Sequence, residues 1–403
     1  MVTLETAENA LKEVYLGVVS NTLNVSANPL LTKIKQSSSD VWGKEIVKLA
    51  PYGINGGIGA GTETGALPSA SGNNYVQFRS ELKNLFGTIE ISDKAIRASQ
   101  NNAGAFVNLL NAEMEGLISA SVFNLGRMLY GDGRGILADV HTVNGATLQL
   151  SNTNTIMEGM VVEFISGQSE LIENVTRKII AVNRATNVVT LDAEYPSTAL
   201  EPYGIALQNS YNKEITGIEK ILSTEGTIYG LDKSVHPWLC PYVDSTVEDI
   251  TDVRIQTAID TLEEETGSVI DFISCPSKIK RYYQEYLSTF RRNIDYMNLE
   301  GGFKAMSYAG VPIVSDKFAM PDTMYLLNTK SMTLHQLCDW QWLEGEDGRI
   351  IKQKQGYPVY YATLVKYADL ICDKPNGQGK ICNIVHSSAV DDSTSGGEEI
   401  PGE

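Results

Sequence analysis

The residue types able to do chemistry are few in this chain, and they do not converge. Its four histidines, His141, His236, His335 and His386, stand far apart, and no HExxH pair places two of them on one helix face for a metal. Each is expected at the surface or as a satisfied core residue. No GxSxG elbow exists to expose a nucleophilic serine. The five cysteines, at 240, 275, 338, 372 and 382, include no CxxC pair; Cys372 and Cys382 are ten apart with Lys374 and Lys380 between them. They are expected to be small buried thiols in a reducing compartment.

Three glycine clusters need weighing against phosphate binding. Gly57-Ile-Gly-Ala-Gly61 opens no helix and carries no lysine, so it lacks both the Walker lysine and the helix start of a dinucleotide loop. Gly131-Asp-Gly-Arg-Gly135 follows a helical pattern and is expected to stop it, and Gly377-Gln-Gly-Lys380 is expected to turn between two short strands. Glu263, Glu264 and Glu265 are consecutive, so on a helix they point in different directions and cannot share one ion. The densest basic cluster, Lys278, Lys280 and Arg281 with Arg291-Arg292, is expected on a solvated helix face, its functional alternative being inter-subunit pairing or weak phosphate contact. Trp340, Trp342, Tyr357, Tyr360 and Tyr361 form an aromatic belt without interleaved basic residues, which favours packing over base stacking. No catalytic, cofactor-binding or metal-ligating residue is therefore assigned, and no cofactor is expected.

The elements that remain are informative in another way. Gly53–Asn74, GINGGIGAGTETGALPSASGNN, holds seven glycines and a single charge, Glu63. A connection this long without a pattern of its own is unusual in a compact domain. Trp42–Ala50 precedes it as a strand. After it Val76, Phe78 and Leu82 fall on one strand face and Gln77, Arg79, Glu81 and Lys83 on the other. This predicts a two-stranded arm over 41–92, and an isolated hairpin is marginal in water. The arm needs another surface, most simply another copy of the chain.

Around the arm, residues 3–19 can form an amphipathic helix through Leu4, Ala7, Leu11, Val14, Tyr15 and Val18. Phe106 to Leu129 repeats apolar residues every three or four positions, with Asn101 and Asn102 as caps and Gly131 as stop. At about 1.5 Å per residue such a helix runs roughly 40 Å. Gly116 and Gly126 within it suggest close packing of another element. Short Val/Ile/Thr-rich runs over 139–198, with a hairpin at Asn183–Thr186, predict a small all-β barrel or sandwich. Beyond 205 the pattern is mixed, with helices at Val247–Thr266 and Pro276–Phe290. Strands are expected at Val269–Ser274, Val311–Ser315 and Met324–Asn328, with a strand pair over Arg349–Cys372 about Gly356–Pro358.

Composition sets bounds on function. A chain of 403 residues with 42 % hydrophobic residues can bury a large core, and two or three domains are expected. No apolar run long enough for a membrane span occurs, and Met1–Val18 carries Glu5, Glu8 and Glu13 in place of a basic leader. The net charge of −17 argues against a monomeric DNA reader and keeps a self-associating protein soluble. Five of those negative charges lie in Ser387–Glu403, a Ser/Gly-rich tail expected to be disordered.

The order of parts resembles the major capsid proteins of tailed double-stranded DNA bacteriophages, whose fold is shared with encapsulins. The most specific stretch is Gly310–Trp342, where Gly310-Val-Pro-Ile313, Asp316, Pro321, Tyr325 and Asn328 resemble the strand–turn–strand of that family's axial domain. LYGDGRG resembles the end of its spine helix, and YYATLVKYADLICDKP the strand returning to its peripheral domain. The similarity covers about 41–385.

The resemblance implies an α+β phage capsid fold. Its parts are an N-terminal arm 1–40, an extended loop 41–92, a peripheral domain with the spine helix 93–136, an inserted β domain 137–204 and an axial domain 205–345. Return strands 346–385 and an acidic tail 386–403 complete it. The implied function is structural: pentamers and hexamers closing an icosahedral shell in the virion, assembled in the host bacterial cytoplasm, with no catalysis and no membrane partner. Implied partners are the chain itself, a separate scaffold protein, the portal, decoration proteins, and packaged DNA held by weak non-specific contact. An encapsulin-type compartment and an enzyme with an unrecognised site are the alternatives. In one branch of the family a loop lysine crosslinks to a neighbour; the tip 53–74 has no lysine, though Lys44, Lys48 and Lys83 flank it. Only about 40 residues precede the arm, fewer than the cleaved scaffolding segment of many relatives, which is why a separate scaffold, or none, is expected.

Overall fold

The computed structural model describes residues 28–94, 103–196, 199–289, 296–298, 304–345 and 348–386, with side chains from Glu113 onward in the long helix. The expected helix at 3–19, the caps Asn101 and Asn102, Arg291-Arg292 and the acidic tail lie outside them. The chain divides into two compact units, Met1–Cys240 with Thr329–Pro375, and Pro241–Asn328 with Asn376–Glu403. The span 205–345 is thus split: 205–240 and 329–345 belong to the first unit.

In the first unit the strand Val359–Cys372 is the organising element. Nearly every residue from Ala362 to Cys372 is buried, the mark of a strand covered on both faces. Lys83–Ser92 pairs antiparallel with it from Ala368↔Lys83 to Val359↔Ser92. Met332–Trp342 pairs along its other edge, and Lys35–Ser37 adds a parallel strand to Met332–Trp342. The expected hairpin about Gly356–Pro358 is reduced to Lys352–Gln353 against Tyr360 and Tyr361, because longer partners take the rest of the strand.

The helix Ala103–Tyr130 runs beside this sheet. Met114, Ile118, Val122, Leu125, Met128 and Leu129 are its buried stripe. Gly116 is not a packing contact: a Cβ there would meet open space. The close approach comes from the strand side, where a Cβ on Gly87 would come within 2.7 Å of Leu117 Cδ1. The helix stops at Gly131 as expected, and Gly133 and Gly135 take positive φ before Ile136 opens the next strand.

Ile136–Asn144, Thr147–Leu150, Val161–Ser166, Leu171–Asn183, Val188–Leu191 and Pro202–Leu207 close into a six-stranded barrel. It is a barrel and not a sandwich, filled by Leu148, Ile156, Val162, Phe164, Ile179, Val189 and Ile205. Closure leaves no free edge.

The second unit is a mixed seven-stranded sheet. Its centre, Phe272–Cys275, lies parallel to Val311–Ser315 and antiparallel to Met324–Leu327. The helices Asp252–Thr266 and Ser277–Thr289 supply Ile255, Ala258, Leu262, Ile279, Tyr283 and Leu287 to its core. The first helix starts later than its pattern suggests. Thr251 caps it by accepting from the Arg254 amide, and Glu248–Asp249 is drawn into a parallel strand with Ile384–Val385. Gly267 ends it at φ 63°.

Candidate assembly arm

The arm exists, and its two faces differ. Glu45–Tyr52 and Asn74–Glu81 pair antiparallel from Glu45↔Glu81 to Tyr52↔Asn74. On the inner face Ile46, Ala50 and Phe78 are buried. Phe78 packs on Tyr229 and on Trp238, with ring centroids 5.3 and 6.4 Å away, and Tyr52 stacks on Trp238 at 5.1 Å. On the outer face Leu49 and Tyr75 are exposed, and Trp42 and the tip residues Ile54, Ile58 and Leu67 extend the apolar surface. Trp42 is 75 %, Ile58 73 % and Leu67 91 % exposed, values that a monomer with a satisfied surface does not gather in one projection.

The strand face drawn across residues 76–83 needs correction. Val76, Phe78 and Ser80 do share the inner face, but the chain breaks its strand at Leu82. After the break the inward parity is odd, with Leu85 and Ile89 buried, so Lys83 belongs to the inner register and Leu82 to neither strand. The break lets one segment serve two sheets, first the arm and then the central strand Val359–Cys372.

The tip glycines act mainly through size. Of those in 53–74 only Gly53 has a positive φ, 67°. A Cβ on Gly57 would lie 3.1 Å from the Ser71 amide nitrogen and one on Gly59 3.1 Å from Pro68 Cγ. The two limbs therefore run against each other as a narrow ribbon beyond the last strand pair. Few hydrogen bonds hold it: Asn55 Nδ2 donates to Asn73 Oδ1 at 2.9 Å, and the Gly57 amide to Asn55 Oδ1 at 2.8 Å.

The root is fastened by polar contacts in a buried setting. Ser80 Oγ donates to Asp369 Oδ2, which also accepts from Thr216 Oγ1 at 3.1 Å, while the Thr216 amide reaches Oδ1 at 2.6 Å. Burial pushes the Asp369 carboxyl above its ordinary value, against the pull of these donors. The Tyr229 hydroxyl donates to the Leu370 carbonyl at 3.1 Å and accepts from the Cys372 amide at 2.9 Å, and its own carbonyl accepts from the Arg79 amide at 3.0 Å. Burial raises that phenol well above its usual pKa. Lys48 adds a 2.7 Å ion pair to Asp373.

Below the root, Arg127 near the end of the long helix makes a bidentate buried pair with Glu214. Gly217 follows on the same loop, pressed so closely to the helix terminus that a Cβ would overlap the carbonyls of Met128 and Gly131.

The residues weighed for chemistry stay apart. Glu263, Glu264 and Glu265 are all solvent-exposed. His335 is a core histidine satisfied on one side only: Nδ1 lies 2.9 Å from the Ser39 carbonyl, while the buried Nε2 has no hydrogen-bond partner among the described residues. Gly57–Gly61 lies in the arm's tip with no helix after it. Trp340 and Trp342 are buried and Tyr357 is exposed. All five cysteines are free thiols, Cys275 and Cys372 buried and the others half-buried. Among the described residues no cluster of His, Cys, Asp or Glu could hold a metal, and no helix is long and apolar enough to cross a membrane.

No protein-family model and no curated protein matches this chain. Solved structures do. The capsid asymmetric unit of the cyanophage A-1(L) aligns with a TM-score of 0.52 at 12 % identity, over 90 % of this chain and 92 % of that one. The fold is that of a phage capsid protein. The capsid of the Myoviridae phage XM1 aligns at 9 % identity over 89 % and 92 % of the two chains, with a TM-score of 0.47. The SrpI encapsulin of Synechococcus elongatus PCC 7942 aligns at 7 % over 89 % of each, with a TM-score of 0.45. Within this capsid fold, the residues that sequence reasoning missed are those that fix the arm: Tyr229, Trp238, Thr216 and Asp369. The one available signal was Asp369, a lone carboxylate inside the apolar run Tyr367–Cys372.

Proposed function

We propose that the chain is a shell subunit, the major capsid protein of a tailed phage, forming pentamers and hexamers around double-stranded DNA. The observation that carries this reading is the arm: an anchored root, an apolar outer face and a narrow tip, which a single subunit leaves uncovered. Repeated heterologous contacts closing on themselves require such a reach from one copy to the next. The capsid fold agrees with that role, and so does the lack of converging catalytic groups among the described residues. A separate scaffold protein, a portal and decoration proteins belong to the same proposal, as do assembly in the bacterial cytoplasm and weak contact of one face with packaged DNA.

Deleting Gly56–Ser71 tests it. The expected product folds, with unchanged circular dichroism and melting, yet forms no closed shells in negative-stain micrographs where the full chain does. Shells of normal size from the deleted chain would refute the role of the arm. Absorbance at 260 and 280 nm of purified particles separates a genome container from a protein-filled compartment.

A further inference from the structure

We propose that Asn55, at the tip of the arm, is a site of spontaneous modification, where the folded chain converts a side-chain amide into aspartate or isoaspartate. The Gly56 backbone nitrogen bonds to Asn55 Cγ. The side-chain nitrogen leaves as ammonia, taking the proton of the Gly56 amide, and a five-membered succinimide remains. Water then opens either carbonyl of that ring. The product is aspartate, or the isomer in which the main chain runs through the side-chain carbon. Water is the only co-reactant.

This chemistry needs a following residue without a side chain, a free amide nitrogen, and backbone able to turn until the ring closes. The sequence holds three Asn-Gly pairs, Asn55-Gly56, Asn144-Gly145 and Asn376-Gly377, and the fold treats them differently. Asn144 ends a paired strand opposite Thr147. Gly145 beside it is held at φ 59°, its carbonyl accepting from the Tyr195 amide at 2.9 Å. Asn376 sits in the short helical turn Pro375–Gly377, where Gly377 is buried and its carbonyl accepts from Ser268 Oγ at 2.8 Å. Neither pair can turn without breaking these contacts.

Asn55 lies beyond the last strand pair, Tyr52↔Asn74, outside any helix or strand. Gly56 is exposed, and its amide makes no hydrogen bond among the described residues. Asn55 Oδ1 accepts from the Gly57 amide at 2.8 Å. That bond folds the side chain back along the Gly56 peptide and draws electron density from Cγ, the atom attacked. Among the described residues, the side-chain contact that opposes rotation is the exposed bond from Asn55 Nδ2 to Asn73 Oδ1 at 2.9 Å. Conversion removes that donor and adds a negative charge to a tip whose single charge is Glu63. The isomer also lengthens one limb of a ribbon packed against Ser71. The conversion does not depend on the shell reading; its consequence, loss of assembly as the free subunit ages, rests on it.

The test incubates unassembled full-length subunit in heavy-oxygen water, in mildly alkaline buffer that speeds loss of the amide proton. Tryptic peptides are then sequenced by mass spectrometry. Asn55 should convert at least about tenfold faster than Asn144 or Asn376, with heavy oxygen in its product. In guanidinium the three should convert at similar rates, because the fold alone separates them. A Cβ at position 56 would meet Ser71 Oγ, an exposed side chain, at 3.3 Å, so G56A keeps the ribbon. G56A, and N55Q with its larger ring to close, should each slow the reaction by about tenfold or more. An intact Asn55 in a folded chain whose unfolded form converts would overturn the inference, as would equal rates at the three folded sites. In negative-stain micrographs N55D should yield several-fold fewer closed shells than N55Q. If deleting Gly56–Ser71 abolishes shells and N55D does not, the role of the arm stands and the consequence of conversion falls. If the deletion leaves shells intact, the role of the arm falls, and the mass spectra still decide the conversion.

Discussion

The Ser80 hydroxyl donates to the carboxylate of Asp369, tying the return strand of the arm to the buried middle of Val359–Cys372. Asp369 is fully buried and serves three donors from two segments distant in sequence. It therefore couples the position of the arm to the interior of the sheet.

That coupling gives stability a pH dependence of defined sign. Burial raises the folded-state pKa of Asp369 above the ordinary carboxyl value of 3.8, so in the interval between the two values the folded chain holds more protons than the unfolded one. Stability then falls as pH rises through that interval and levels off above the folded pKa. D369N should abolish this contribution. Melting temperatures of the two proteins, measured from about pH 3.5 upward, should move apart with wild type losing ground; parallel curves would show that the carboxyl does not titrate differently on folding.

Arg127 and Glu214 make a different prediction, because both are charged and both are buried. Removing one partner leaves the other charge without compensation, at a cost of about 3–5 kcal/mol. E214Q and R127M should each lose that much in urea unfolding of the first unit, while the double replacement R127M/E214L should recover a large part of it. Equal losses in single and double variants would mean that the packing of the chains, and not their charge, carries the effect.

Periodicity exposed the elements with one buried face: the long helix through Met114, Ile118, Val122 and Leu125, and the arm through Val76 and Phe78. The run of short β-branched segments exposed the barrel strands, though not whether they close. What stayed hidden was the partnership of segments remote in sequence. Nothing local in Lys83–Ser92 says that it pairs with Val359–Cys372, and the break at Leu82 looks like one more position of an alternating strand. Lys233 illustrates the limit as well. It reads as a surface lysine, yet it is buried with Nζ 2.9 Å from the Ile221 carbonyl, a site that only the folded loop creates.

Glycines show the same limit and allow a paired test. Gly116 and Gly217 look alike in sequence, but a Cβ on the first meets open space and a Cβ on the second meets backbone carbonyls. G116A, in a helix interior, should stabilise by about 0.5–1 kcal/mol. G217A must displace the loop from the helix terminus and should cost about 3 kcal/mol or more. Denaturation midpoints decide it, and the same sign for both would contradict the geometry.

Lys366 offers the sharpest contrast between a charge and its partner. Its ammonium is almost wholly buried, 2.7 Å from Asp339 Oδ1 and 2.6 Å from Gln336 Oε1, with the Trp340 ring centroid 6.0 Å away. Burial lowers its pKa, and Asp339 opposes that shift. Losing the carboxylate should therefore hurt more than losing the amine: D339A strands a buried cation, whereas K366M replaces it with an apolar chain of similar length. D339A should cost about 3 kcal/mol and K366M less than about 1 kcal/mol. The sign of the pH effect separates the two as well. A lowered lysine pKa means that the folded state holds fewer protons between that value and 10.5, so stability rises with pH across that range. In D339A the shift deepens and the rise should begin at lower pH, while in K366M it should vanish. Urea titrations between about pH 7 and 10.5 measure it, and a D339A curve parallel to wild type would show that the carboxylate does not hold the lysine's proton.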